Sequence, residues 1–321
     1  DCFIPFYWSL TGIAVNLDRL EEMGLEAPTR WSDILDTHQM EQYSQCGVGI
    51  LEEPKDIVPP LLACLGYDMD TSDVREIEST LKRLASVKQF VKQFSSFRPT
   101  EDLASGDTCV VVTWLGFLKM IELNLGDTDK KPNMKFIIPE DAPPIYWLDG
   151  LAIPKDAQNK DNAHKFINFL LKKEHAARFT EATFYHTTVK GSLDNVTPEI
   201  AKSIELSDDV KARMRQAKFF EDEHIQAFTE GLNQVIINGK VDLSKFKKIK
   251  DVSMIQGTHS FAKDMQDQLI PREILFGNPK NVMVQVSPDG KHLSYIGPKD
   301  GVLNVFYVPN SDLSKAKAEF K

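Results

Sequence analysis

The chain has only four cysteines in 321 residues, Cys2, Cys46, Cys64 and Cys109, and none forms a Cys-x-x-Cys pair. That spacing excludes zinc-ribbon and dithiol redox sites, and leaves buried thiols or a disulfide as the alternatives. The seven histidines never fall at His-x-x-x-His or His-Glu-x-x-His spacing, so neither a metal nor a cofactor is expected. No glycine-rich phosphate loop and no Gly-x-Ser-x-Gly elbow occurs, and no catalytic constellation can be assembled from what is present. The longest basic run, Lys245 to Lys250, is short, and the net charge is −9 with an isoelectric point near 5.4, which argues against a nucleic-acid partner. No apolar run is long enough to span a bilayer, and no basic and apolar leader follows Asp1. We therefore expect the natural start of the protein to lie upstream.

What is present suits a globular protein. A 42% hydrophobic and 26% charged composition is ample for a core, and the length fits two domains better than one. Strands are expected at Gly12 to Asn16, Gly47 to Leu51, Val110 to Val112, Phe136 to Pro139 and Gly150 to Pro154. Short helices are expected at Leu17 to Gly24 and Trp31 to Leu35, and an apolar helix at Val58 to Leu65 stops at Gly66. Helical spacing of Val74, Ile77, Leu81, Leu84, Val87 and Val91 predicts one or two amphipathic helices over Ser72 to Phe94. Asn162 to Leu171 and Glu174 to Ala182 also read as helices, with Phe166, Ile167, Phe169 and Leu170 as the buried face. Strands alternating with helices over the first two-thirds argue for an α/β sheet architecture. After Gly239 the pattern fades, and Asp289-Gly290 and Asp300-Gly301 between alternating apolar residues then signal β-hairpins.

Two segments carry a family resemblance. Phe6 to Asn16 (FYWSLTGIAVN) and Ile145 to Lys155 (IYWLDGLAIPK), the latter followed by Ala163 to Leu171, resemble the two interlobe crossings of the polyamine (spermidine/putrescine) extracellular solute-binding proteins of ABC transporters. The resemblance covers about residues 3–235. It implies a periplasmic-binding-protein-like two-lobe α/β fold, one lobe complete and one partial, followed by a short all-β segment. It further implies a hinge crossing at 1–12, a complete lobe at 13–140, a return hinge and partial lobe at 141–237 and a linker at 238–268. A periplasmic, monomeric, non-enzymatic protein follows from it, with a polyamine or similar cationic small molecule as ligand and an ABC-transporter permease as partner.

A polyamine is an apolar rod with cationic ends, so its site needs carboxylates at the ends and aromatic faces along the methylenes. Where the family carries two acids spaced by two residues at a helix start, this chain has Glu53-Pro54-Lys55-Asp56. The competing reading is that Glu52, Glu53 and Asp56 only cap that helix, worth about 0.3–1 kcal/mol through its dipole. Trp147 and Asp149 are two apart on the return crossing, and a strand would point both to one face. Trp114 matches a further aromatic wall, and Tyr185 a ligand-facing tyrosine in a loop that here lacks the family's glycine and asparagine. The resemblance thus implies Glu53, Asp56, Trp114, Trp147, Asp149 and Tyr185 as ligand residues. Tyr7 and Trp8, near the crossing, either contact ligand or pack the hinge, with packing favoured, and no secure counterpart of a late amide-bearing residue is found around Phe219 to Glu223.

The tail is different. Leu269 to Pro279, Ser287 to Lys291 and Gly301 to Val305 resemble the opening propeller blade of prolyl-oligopeptidase-type serine peptidases, giving a blade-like fragment at 269–321. A peptidase propeller fragment, or a fused or truncated product without function, is accordingly the alternative reading. One blade cannot close a propeller, because each blade covers its faces with neighbours.

Overall fold

The computed structural model describes residues 3–96, 98–125, 131–216 and 222–246, together with the backbone of strands at 282–286, 292–299, 302–309 and 317–318. The chain divides into two compact units, 1–255 and 256–321. Among the described residues no helix is long and apolar enough to cross a membrane.

The first unit is organised by one long strand, β1 (Ile4–Asn16), whose Leu10, Ile13, Ala14 and Val15 are completely buried. Six shorter strands join it: β2 (Val48–Ile50), β3 (Gln93–Phe94), β4 (Val110–Trp114), β5 (Met134–Ile137), β6 (Ile145–Leu151) and β7 (His186–Thr187). The path through the sheet runs β3-β2-β4-β1-β5, and β6 and β7 also pair with β1. β2 is parallel to β3 and β4, whereas all pairs made by β1 are antiparallel. Cys46 and Cys109, which lead into β2 and β4, form a disulfide with their Cα atoms 5.4 Å apart, resolving the alternatives for these two residues, while Cys64 stays a free thiol. Closing a loop of 63 residues restricts the unfolded chain by about 4 kcal/mol.

Helices α1 (Pro54–Cys64) and α2 (Val74–Val87) cover the sheet with Ile57, Val58, Leu61 and Leu62 from the first and Ile77, Leu81 and Leu84 from the second. Helix α3 (Leu115–Asn124) follows β4 directly. Helices α4 (Lys160–Leu170) and α5 (Lys173–Thr183) follow β6, and α6 (Asp222–Asn238) comes last. Glycine at 66 adopts φ +85°, the left-handed turn that ends α1.

Four expectations are corrected. Helix α2 ends at Val87; Gln93 and Phe94 instead extend the sheet, because Lys92 N–H donates to the Val48 carbonyl and Ser95 N–H to the Ile50 carbonyl, each at 2.9 Å. The return strand runs Ile145–Leu151 rather than Gly150 to Pro154, since its register to β1 spans Ile145 to Leu151. On α4 only Ile167 is buried, at 5% exposure, while Phe166 is 59% and Phe169 48% exposed. The helix turns a single narrow stripe inward, and the Phe169 ring is covered by His175, with centroids 3.6 Å apart.

The last correction concerns the far end of the unit. Helix α6, expected in the second lobe, packs Phe228, Leu232 and Val235 into the same core as α1 and α2, and Val241 and Leu243 from the expected linker join it. Asp242 N–H donates to Gln234 Oε1 at 2.7 Å, fastening this segment to α6. Gly231 is needed there because a Cβ would collide with Leu81. The rest of the expected linker, 247–268, lies outside the described residues.

The second unit contains one antiparallel sheet of β8 (Val282–Val286), β9 (His292–Lys299), β10 (Val302–Pro309) and β11 (Lys317–Ala318), in the order β11-β10-β9-β8. The β9–β10 ladder pairs Lys299 with Val302; the expected turn residues Asp289-Gly290 and Asp300-Gly301 lie outside the described residues.

Truncation should separate the roles of the last segments of the first unit. Ending the chain after Phe246 should leave the urea midpoint of the first unit nearly unchanged, whereas ending it after Asn238 removes buried Val241 and Leu243 and should destabilise it by roughly 3 kcal/mol or more. Equal stability of the two truncated chains would show that 239–246 contributes nothing to the core.

Candidate functional site

The ladder between β1 and β6 sets Ser9 opposite Trp147, Trp8 opposite Leu148 and Tyr7 opposite Asp149. Alternation along the strands therefore gathers Tyr7, Trp147 and Asp149 on one face. Trp8 goes to the other, where it stacks on His186 with ring centroids 4.0 Å apart and packs with Leu10. Trp114 is the last residue of β4, held through the pairing of Thr11 with Trp114. Glu53 and Asp56 lie at the start of α1, where Pro54 opens the helix. Tyr185 follows Phe184, a residue at φ 57° that turns the chain sharply after α5. Gly116 makes room for the Tyr185 ring, since a Cβ there would fall 2.6 Å from its Cε1 atom and 2.8 Å from the Thr183 carbonyl oxygen.

All six residues implied by the resemblance, Glu53, Asp56, Trp114, Trp147, Asp149 and Tyr185, line one cleft of about 610 Å³. The rings stand at steep angles to one another: Trp114 and Trp147 are 6.2 Å apart at 75°, and Trp147 and Tyr185 are 4.9 Å apart at 85°. Trp114 Nε1–H donates to Asp56 Oδ2 at 2.7 Å. The Glu53 side chain makes no capping hydrogen bond to its helix, which takes support from the capping reading.

Tyr7, Lys55 and Gln216 also line the cleft. Tyr7 packs with the rings of Phe6 and Phe179, the role favoured for it, and also lines the cleft, where the register of β1 against β6 sets it opposite Asp149. Gln216 is brought in by its neighbour Arg215, whose N–H donates to the Pro144 carbonyl at 2.9 Å and whose carbonyl accepts from Tyr146 N–H at 3.0 Å. An amide thus reaches the cleft a few residues before the stretch searched for one, of which 219–221 lies outside the described residues.

Burial is the main electrostatic fact of the site. It pushes the Asp56 carboxyl up to about 6; the Trp114 hydrogen bond opposes this, the charges of Glu53 and Asp149 add to it, and Lys55 opposes it. Burial likewise pushes the Tyr185 phenol up to about 12, with smaller contributions from Tyr7, Asp149 and Asp56. A cleft holding three carboxylates and one lysine attracts a cation, and its rings supply the π faces that a desolvated ammonium prefers. No group of three or more His, Cys, Asp or Glu side chains among the described residues is arranged to hold a metal ion.

Comparison with known proteins gives the chain a family. Residues 2–210 match the family described as bacterial extracellular solute-binding protein. The putrescine-binding periplasmic protein SpuD of Pseudomonas aeruginosa is 32% identical over 180 residues, covering 56% of this chain and 49% of that protein. The putrescine-binding periplasmic protein PotF of Escherichia coli is 29% identical over 216 residues, covering 66% and 58% respectively. The chain thus spans about half the length of these relatives. Among solved structures, a putative spermidine/putrescine ABC transporter protein from Listeria monocytogenes superposes with a TM-score of 0.63 at 22% identity over 74% of this chain and 69% of that one, a likeness of fold.

The buried carboxylate has a consequence for stability. A group held at about 6 when folded and near 3.8 when unfolded is protonated in both states below pH 3.8, so it exacts no penalty there. The penalty accumulates as pH rises from 3.8 toward 6, where the unfolded chain has lost the proton and the folded one keeps it, and it levels off at about 3 kcal/mol above pH 6. Asp56→Asn should therefore raise the unfolding free energy by roughly 1–3 kcal/mol at pH 7.5 and change it little at pH 4, as measured by urea denaturation. A loss of stability at both pH values would mean that the carboxylate serves the helix rather than the cleft.

Proposed function

The chain belongs to the bacterial extracellular solute-binding protein family, and we propose that it captures a linear polyamine, putrescine or spermidine, in the cleft lined by Glu53, Asp56, Trp114, Trp147, Asp149 and Tyr185. The observation that carries this reading is the convergence in one cleft of three carboxylates with the rings of Trp114, Trp147 and Tyr185, Trp147 standing steeply to each of the other two. Each ammonium gains a carboxylate and one or more ring faces, the latter worth about 0.5–2 kcal/mol per contact where water is excluded. The methylenes between the cationic ends lie against the indole and phenol rings, recovering the hydrophobic term. Near pH 6 the arriving ammonium completes the ionisation of Asp56, and above it the ligand adds positive charge beside that of Lys55 to a carboxylate already ionised.

No bond is made or broken in this process; the protein works by binding and release. By analogy with relatives named as periplasmic binding proteins, we place the chain in the periplasm as a monomer that presents its ligand to an ABC-transporter permease. The peptidase alternative has only the β8–β11 sheet on its side, and every cleft residue lies in the first unit.

Isothermal calorimetry tests the reading. Putrescine or spermidine should give saturable binding, and Trp147→Ala should weaken it by about 1–3 kcal/mol, as expected of an aromatic anchor. Affinity should fall about tenfold from pH 7.5 to pH 5, because only about one Asp56 carboxyl in ten is ionised one pH unit below its midpoint of about 6. The ligand's ammonium groups stay charged throughout that range. Absence of heat with every polyamine tried would refute the proposal.

A further inference from the structure

Tyr7 has a place in the cleft that neither packing nor the general chemistry of cation capture explains. On β1, Trp8 and Leu10 face a core cluster of their own, and Tyr7 faces the other way. The pairing of β1 with β6 shifts register between Pro5 and Tyr7, and this irregularity leaves Tyr7 directly opposite Asp149. Such shifts re-aim a side chain, and directly opposed residues hold their Cβ atoms about 4.5–5.5 Å apart. Asp149 is near enough for its charge, after burial, to raise the Tyr7 phenol above its usual value.

The ring is as closely placed as the hydroxyl. It lies parallel to Tyr185, with centroids 5.7 Å apart and 6° between planes, and edge-on to Trp147 at 5.9 Å and 89°. Behind it, Phe179 of α5 packs at 4.8 Å. One residue on the crossing strand therefore packs with two rings of the site, stands opposite Asp149 in the ladder and is supported by Phe179.

We propose that Tyr7 is a positioning residue for the cleft, its hydroxyl donating to Asp149 so that one carboxylate oxygen is fixed and the other is presented to an ammonium group, and its ring holding Tyr185 and Trp147 at a right angle. A carboxylate has lone pairs for both donors, so the phenol need not compete with the ligand. Orientation before binding removes part of the ordering cost that a free carboxylate would incur on meeting a cation. Burial, and then the charge of Asp149, raise the Tyr7 phenol above its usual value, which keeps it a donor at neutral pH.

This inference rests on the polyamine reading, and a double-mutant cycle separates the two. By calorimetry with putrescine, Tyr7→Phe should bind about tenfold more weakly than the unaltered chain, the effect of losing a hydrogen bond to a charged group. In an Asp149→Asn background the same substitution should cost no more than about twofold, because its target is gone. Tyr7→Leu, which removes the ring as well, should lose affinity in both backgrounds. A readout without ligand accompanies these: in alkaline difference titration, Asp149→Asn should move the Tyr7 phenol midpoint down toward the ordinary value. Unchanged affinity of Tyr7→Phe, an equal loss in both backgrounds, or a phenol midpoint indifferent to Asp149→Asn would each overturn the positioning role while leaving the polyamine reading in place. Failure of the unaltered chain to bind any polyamine would remove both.

Discussion

The hydrogen-bonding of β1 along both edges is the constraint from which fold and site follow. Thr11 pairs with Trp114 on one side and with Ile145 on the other, so β4 and β6 lie on opposite edges of the same strand. Because side chains alternate with a period of two, a slip of one residue would exchange every residue facing the cleft for one facing the core. β1 is buried on both faces from Ser9 to Asn16, which holds the strand inside the unit, while its ladders with β4 and β6 set which side chains face the cleft. Those ladders thus fix the positions of Tyr7, Trp114, Trp147 and Asp149.

On this rigid frame the site accepts an electrostatic penalty. Asp56 is a buried carboxylate at the start of α1 whose hydrogen bond from Trp114 does not offset its burial. A fold selected for stability alone would place a neutral group there. The penalty is useful if a cation completes the site, since desolvated charges interact more strongly than solvated ones. The same rings that exclude water from the carboxylate supply the faces on which an ammonium rests, so desolvation and recognition come from one set of side chains.

Much of this was legible in the sequence, and the pattern of what was not has physical causes. Strands at Val110 to Val112 and the amphipathic stripe from Val74 to Val87 are local signals, and the Trp147-x-Asp149 spacing needs only the period of a strand. The six cleft residues could be proposed from resemblance and residue chemistry because each side chain type announces what it can bind. Tyr7 could be named but not decided between ligand contact and packing, because its face depends on a register irregularity between Pro5 and Tyr7 that no local pattern encodes. Gln216 depends on a pairing of Arg215 across to Pro144 and Tyr146, and the disulfide of Cys46 with Cys109 on the parallel neighbourhood of β2 and β4. Phe166 and Phe169 misled because helical spacing reports an apolar stripe without saying what covers it. Val241 and Leu243 were hidden in a lysine-rich stretch whose composition reads as linker.

The central claim is that the ligand's positive charge pairs with the Asp56 carboxylate and completes its ionisation near pH 6, and proton counting tests it most directly. Calorimetric titration of putrescine at pH 6 in buffers of different ionisation enthalpy measures the protons released on binding. With the carboxyl held near 6 in the free protein, release of about half a proton is expected at pH 6 and almost none at pH 8, with the pH 6 release abolished in Asp56→Asn. Binding at pH 6 with no proton release, or with proton uptake, would contradict the account.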